Sequence, residues 1–348
     1  MPRDFSYPVK PSPGDAVAVL SPSGRAASRF PAPYELGLVR LQEQFGLVPV
    51  EYPTTRAAQA SPAGRAGDIH AAFGDPAIKA VIASIGGEDE IKVLSHLDPG
   101  VLADNPKPFF GYSDNTNLHL LLWNLGLVSY HGGAVMVELG RPVSMNPVTR
   151  RSLQRALFTR GTYLLEPPRE YTDEERPWTD PATFTAESAM LPAAPWSWYG
   201  PETVITGPAW GGSLEVIDFH LRASRYLLTG DRYDGAVLYA ETSEELPSAS
   251  YVYRVLMGMG ERGLLQRFAA IIWARPKAWS FEQPNQPPAK ARYTEAQREA
   301  VLAAVGEYHP GVPLVFGADF GHTDPQLVIP SGGQVTVDSE RRRILVTY

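Results

Sequence analysis

Apolar residues along the chain fall into short runs separated by longer segments with helical spacing. AVAVL at 16–20 is a continuous apolar run ending in Ser-Pro-Ser-Gly, which predicts a buried strand feeding a turn. PYELGLVRLQEQFG (33–46) repeats its apolar residues every three or four positions and predicts a helix, and LVPVEY (47–52) predicts a second strand. Ser61-Pro62 joins an N-cap residue to a first-turn proline and opens a helix running to Phe73. IKAVIASIGG (78–87), PFFGYS (108–113) and LVSYHGG (127–133) are three more strands, and Asn146-Pro147 caps a further helix over 148–161. Strands that alternate with helices predict an α/β fold with a mostly parallel sheet covered on both faces, flavodoxin-like or glutamine-amidotransferase-like. Reactive groups in such a fold are expected at the carboxyl ends of the strands.

The pattern breaks between 166 and 205. This stretch holds seven prolines and the aromatics Trp178, Trp196, Trp198 and Tyr199, with no sustained period. It is expected to be an ordered loop that links an N-terminal α/β domain (1–165) to a C-terminal α/β domain (206–348). Beyond it, GPAWGGSLEVIDFHL reads as a glycine turn entering a helix. DGAVLYAET (234–242), FAAIIWARP (268–276) and the run before Gly317 read as strands. Thr294-Glu-Ala-Gln297 reads as a capping box opening a helix to Val305. QVTVDSERRRILVTY closes the chain as a hairpin, its Arg341-Arg342-Arg343 run a solvated turn.

Composition narrows the partners. The 348 residues carry a net charge of −7, which argues against nucleic acid or an anionic membrane surface, because either requires a basic face. There are no cysteines, so disulfides, thiol nucleophiles and thiolate metal sites are excluded. The chain contains no apolar stretch near 18 residues, and its first fifteen residues lack a secretory h-region, so a cytoplasmic protein is expected. No His-Glu-x-x-His motif, phosphate loop or dinucleotide fingerprint is present, and no metal or cofactor is expected.

Three residues end apolar strands and carry complementary chemistry. Ser113 follows PFFGY, Glu241 follows GAVLYA and His322 follows PLVFGADFG. A serine hydroxyl becomes a nucleophile when a base takes its proton and a carboxylate orients that base, and this set supplies all three parts. The helix start after Ser113 would offer the Asp114 amide to an oxyanion, and the glycine pair at 86–87 permits a second backbone donor at Gly87. Taken singly, each has a plainer reading: Ser113 as an N-cap, Glu241 as one of a solvated ETSEE cluster with Glu244 and Glu245, His322 as a turn histidine satisfied by Asp324. His119 reads as structural and His131 as a strand-end residue lining the site. Glu88-Asp89-Glu90 reads as an acidic helix start.

These blocks, in this order, resemble the LD-carboxypeptidase family of serine peptidases, including its microcin-immunity branch. The resemblance rests on SPSG (21–24), IGG (85–87) with LSHLD (94–98), GYSDNT (111–116), YHGG (130–133), GGSL (211–214), AETSEE (240–245) and GADFGHTDPQLVIPSG (317–332). It implies an amidohydrolase with Ser113 as nucleophile, His322 as general base, Glu241 as its partner and the Gly87 and Asp114 amides as oxyanion hole. It also implies a homodimer and a peptide-like amide substrate, either a murein LD-peptide or a microcin-type aminoacyl or peptidyl nucleotide. IGG and ETSEE lean toward the second. Glu88, Trp198 and Ser213 are the expected substrate contacts, with Trp196 and Trp198 available to stack on a base. Glu88 stands near where murein-cleaving members carry an arginine, and Ser213 where relatives carry asparagine. A non-catalytic two-domain ligand-binding protein and a generic serine esterase are the alternatives.

Overall fold

Every apolar run named above forms a strand, and their order shows how two parallel sheets become one. The computed structural model describes residues 5–348, so the part of the N-terminal leader reading that concerns residues 1–4 lies outside it. Strands β1 (Ala16–Leu20), β2 (Val48–Glu51), β3 (Ile78–Ala83), β4 (Phe109–Gly111) and β5 (Ser129–His131) pair in parallel in the order β2-β1-β3-β4-β5. After the short strands β6 (Thr162–Leu165), β7 (Glu170–Tyr171), β8 (Leu191–Pro192) and β9 (Ser197–Tyr199), a second parallel set follows. It comprises β10 (Val204–Ser213), β11 (Val237–Glu241), β12 (Ala270–Ala274) and β13 (Leu314–Ala318). β11, β12 and β13 are buried at every residue, as strands covered on both faces must be.

A single strand from the end of the chain joins the halves. β14 (Ile329–Ser331) runs antiparallel to β5, with Ile329 opposite His131, and meets β10 where Ser331 pairs with Ala209. β15 (Gln334–Asp338) then pairs antiparallel with the first half of β10, and β16 (Arg343–Thr347) pairs with β15 and β6. The C-terminal hairpin is therefore built into the sheet system, and Arg341 and Arg343 at its turn both reach Asp338.

The helix Thr116–Leu125 belongs to both halves. Its first eight residues are all buried, which requires an element packed on every side. Leu118, Leu121 and Leu122 enter the core under β1, β3 and β4, whereas Leu120 and Trp123 enter the core around β11 and β12. The Trp123 indole N–H donates to the Ala209 carbonyl at 3.1 Å, and its ring stacks on Tyr233 with centroids 5.3 Å apart.

Three local readings change. The segment 207–213 is the end of strand β10, because pairing with β11 and β15 extends a glycine-rich stretch that would otherwise turn. Gly211 suits this: a Cβ there would lie 1.7 Å from the Tyr239 carbonyl oxygen of β11. The helix read as starting at Thr294 begins a full two turns earlier, as Pro287–Tyr308, with prolines in its first turn. Gln297 donates to the Pro247 carbonyl at 2.6 Å and caps nothing. The 166–205 stretch, read as a loop, contributes β7, β8 and β9, and β9 adds antiparallel to the edge of β13. The caps at Ser61 and Asn146 are as read, with side chains accepting from the Gly64 and Val148 amides.

The shared helix makes a stability prediction. Trp123→Ala deletes a fully buried ring between the two halves and should cost about 3–5 kcal/mol. Urea unfolding followed by far-UV circular dichroism will show a lower midpoint, whereas Phe219→Ala on the exposed face of a neighbouring helix will not.

Candidate active site

The carboxyl ends of the two parallel sets meet at one cleft of about 880 Å³. Its wall includes Gly87, Ser113 and Asp114 from the first half and Ser213, Glu244 and His322 from the second. The exposed Glu88 lies on the rim. Glu241 is 1% accessible and sits behind His322 rather than on the wall.

Ser113 stands at the tip of a strained turn. β4 ends at Gly111, Tyr112 is extended, and Ser113 adopts φ 61° as the first residue of the helical turn Ser113–Asn115. A left-handed φ costs a non-glycine residue about 1–2 kcal/mol, and surrounding structure must impose it. Here the imposing contacts are close. A Cβ on Gly86 would come within 2.7 Å of the Ser113 Cβ, and the Gly86 carbonyl accepts from the Gly24 amide at 2.8 Å. The N-cap reading of Ser113 does not hold, because Ser113 is inside the turn, Tyr112 precedes it, and among the described residues no side chain caps this start. Next to it the buried Asp114 carboxylate accepts from the Ser23 hydroxyl, the Glu90 amide at 2.8 Å and the Asn117 amide at 2.8 Å. These bonds tie the SPSG loop, the segment after the glycine pair and the serine turn into one unit. Burial pushes the Asp114 carboxyl up, with the Ser23 hydroxyl pulling against it.

His322 follows β13, where Gly321 leaves room for the Glu241 carboxyl group. A Cβ at Gly321 would lie 2.8 Å from Glu241 Cδ. His322 Nδ1 bonds Glu241 Oε2 at 2.6 Å, and its ring packs edge-on against Tyr112 with centroids 5.1 Å apart. Burial alone would lower the His322 imidazole, but the Glu241 and Glu244 carboxylates override it and hold it well above its ordinary value. Asp324, offered above as its partner, instead accepts from the Arg141 guanidinium at 2.7 Å.

Glu244 departs from its solvated reading. Its Oε2 is 3.1 Å from His322 Nε2, although 53% of the side chain remains accessible within the cleft mouth. Desolvation there works to raise its carboxyl, yet the neighbouring imidazole holds it down at about 2. Among the described residues no hydrogen bond joins Ser113 to His322. Glu90, read as complementing a helix start, is fully buried with neither carboxylate oxygen bonded among the described residues, and burial and Asp114 push it well above the carboxylate range. Its neighbour Asp89 pairs with Arg65 at 2.7 Å.

The expected substrate contacts divide. Ser213 reaches the cleft and donates from its hydroxyl to Glu215 Oε2 at 2.9 Å. Glu215 in turn accepts from the Ser243 amide at 2.9 Å and so holds the loop after β11, a role the sequence signals only as an acid in a helix's first turn. Trp198 lies in β9, packed on the core away from the cleft, and Trp196 donates to Asp319 at 2.7 Å. Trp178 from the same stretch is the tryptophan on the wall, packed edge-on against Phe30. His131 does not line the cleft. It is fully buried behind Glu241, with Nε2 3.9 Å from Glu241 Oε1. His119 is structural, bonding Ser129 and the Gly111 carbonyl.

The strain at Ser113 is measurable. Ser113→Gly should be more stable than Ser113→Ala by about 1 kcal/mol, since only glycine adopts this φ at no steric cost. Paired thermal unfolding of the two variants checks it.

The chain matches two domain models of one family, the LD-carboxypeptidase N-terminal domain over residues 17–132 and the LD-carboxypeptidase C-terminal domain over residues 206–337. Among curated relatives, a protein of Vibrio cholerae named as a carboxypeptidase is 27% identical over 93% of this chain and 92% of its own. The microcin C7 self-immunity protein MccF of Escherichia coli is 23% identical over 81% of this chain and 78% of its own. Among solved structures, MccF in complex with glutamyl sulfamoyl guanosine superposes with a TM-score of 0.82 at 21% identity, covering 98% of both chains. With the fold shared along its length and both domain models matched, this chain belongs to the LD-carboxypeptidase family.

Proposed function

We propose that the chain is a serine amidohydrolase in which Ser113 is the nucleophile, His322 the general base and Glu241 its orienting carboxylate. The observation that carries this reading is the 2.6 Å bond from His322 Nδ1 to a buried Glu241, on the wall of the cleft that also holds the strained Ser113. A carboxylate on Nδ1 fixes the tautomer that leaves Nε2 able to accept a proton, and it stabilises the imidazolium that forms.

The chemistry runs in two steps. His322 Nε2 takes the Ser113 hydroxyl proton as the oxygen attacks the scissile carbonyl carbon. The Gly87 and Asp114 amides receive the oxyanion, and His322 returns its proton to the departing nitrogen to leave an acyl group on Ser113. Water then attacks that ester with His322 again as base. Ser113 and Gly87 both line the cleft, and the close approach of Gly86 to Ser113 holds the glycine pair against the serine turn.

For substrate, the reading takes a small peptide-like amide, with an aminoacyl nucleotide of the microcin type ahead of a murein LD-peptide. Trp178 on the wall is an aromatic side chain available to a nucleobase. Support from relatives is in their names: MccF structures hold aminoacyl sulfamoyl nucleosides, and a Bacillus subtilis relative, 24% identical over 98% of this chain, is named for murein peptide cleavage.

The test is hydrolysis of aspartyl sulfamoyl adenosine and of murein tetrapeptide, followed by chromatography. Wild type should cleave at least one, and Ser113→Ala should lose at least about 10³-fold in rate. Unchanged turnover in Ser113→Ala removes the serine from the mechanism, and cleavage of the tetrapeptide alone reverses the substrate order.

A further inference from the structure

The nitrogen that the proposed chemistry needs is already occupied. His322 Nε2 faces Glu244 Oε2 at 3.1 Å while Nδ1 faces Glu241 Oε2 at 2.6 Å. A neutral imidazole donates from one nitrogen only, so between two carboxylates it would set a lone pair against an anionic oxygen. Only the imidazolium donates to both. An imidazolium has no lone pair for the Ser113 proton, so this arrangement cannot begin the reaction.

The other groups around the ring leave that conclusion in place. From β5, His131 approaches Glu241, but burial holds it well below its ordinary value, so it is neutral. From the serine turn, Tyr112 packs against the imidazole, and the buried Glu138 stands beside that tyrosine. From the segment after β12, Lys277 pairs with Glu175 and draws the Glu244 carboxyl down. Glu245 is next in the loop, with Glu88 acting on it from across the cleft. Carboxylates therefore outweigh cations around His322, and the charged ring is the favoured state.

The two carboxylates differ in freedom. Glu241 is 1% accessible, fixed between Gly321 and the sheet, and cannot leave. Among the described residues the Glu244 carboxylate is bonded otherwise only by its own backbone amide, and half of the side chain faces the open cleft. Resting on the reading of His322 as base, we propose that Glu244 is a positioning residue that parks His322 as a doubly held imidazolium in the free enzyme and is displaced when substrate fills the cleft. On displacement the Glu244 carboxylate moves away as an anion, the Nε2 proton passes to solvent, and Nε2 becomes the acceptor for the Ser113 hydroxyl.

Removing the latch should make the base easier to deprotonate. Proton NMR of the free protein, with the His322 ring signal identified by its absence in His322→Gln, follows the ring's titration directly. In Glu244→Gln the midpoint should fall by about one pH unit or more. For kcat/KM against pH, measured with the nucleotide or tetrapeptide the wild type hydrolyses, the acid limb should move to lower pH by the same amount. One unit below the wild-type limb the variant should then be up to about tenfold more active than wild type. A His322 midpoint unmoved in Glu244→Gln, or a variant that loses activity equally at every pH, overturns the latch. The two readings separate cleanly. Full activity in Ser113→Ala defeats the serine mechanism whatever His322 does, whereas an inactive Ser113→Ala with an unmoved midpoint defeats the latch alone.

Discussion

The first eight residues of the helix Thr116–Leu125 are buried on every side, and the arrangement of the cleft follows from that. An element buried all round must be matched by partners on every side, and these come from both halves of the chain. Polar pins accompany the apolar packing. Thr116 Oγ1 accepts from the Ser213 amide at 3.0 Å, His220 Nε2 meets Asn117 Oδ1 at 2.8 Å, and Trp123 donates to Ala209. A Cβ on Gly212 would collide with Thr116 at 2.4 Å, so the strand carrying Ser213 approaches as closely as backbone permits. Since Ser113 sits three residues before this helix and Glu241 pairs in register with Ser213, the same packing fixes the serine turn and the strand carrying Glu241 relative to one another.

Rigidity is unevenly distributed around the cleft. The serine turn is held by the Asp114 bonds and the Gly86 contact, and the Glu241 carboxylate is enclosed. The loop after β11 is anchored at Ser243 through Glu215, and the next side chain, Glu244, is half exposed and meets His322. A site of this kind combines a preset geometry with one adjustable charge.

Local chemistry carried much of this into the sequence. Continuous apolar runs announced the buried strands, proline after serine or asparagine announced two helix starts, and strand-end positions singled out Ser113, Glu241 and His322. What escaped was set by distant partners. The pairing of β14 with β5 links residues nearly 200 positions apart and has no local signature. Glu244 reads as one more surface acid until His322 is brought beside it. Glu90 looks like a helix-start charge until the fold buries it beside Asp114. Trp196 and Trp198 are carried onto the core where β9 docks on β13, whereas Trp178, earlier in the same stretch, reaches the cleft. The true start of the helix Pro287–Tyr308 was hidden because a proline pair reads equally well as loop.

The late position of β14 also bears on how the molecule is made. During synthesis the first half emerges with all five parallel strands, yet the outer edge of β5 has no partner until residues 329–331 leave the ribosome. His322 arrives only shortly before. The nascent chain therefore carries an open strand edge, exposed to pairing with other chains, for most of its translation. The cleft gains His322 and β5 loses its open edge within the same short stretch of chain, so a chain truncated before His322 would lack both.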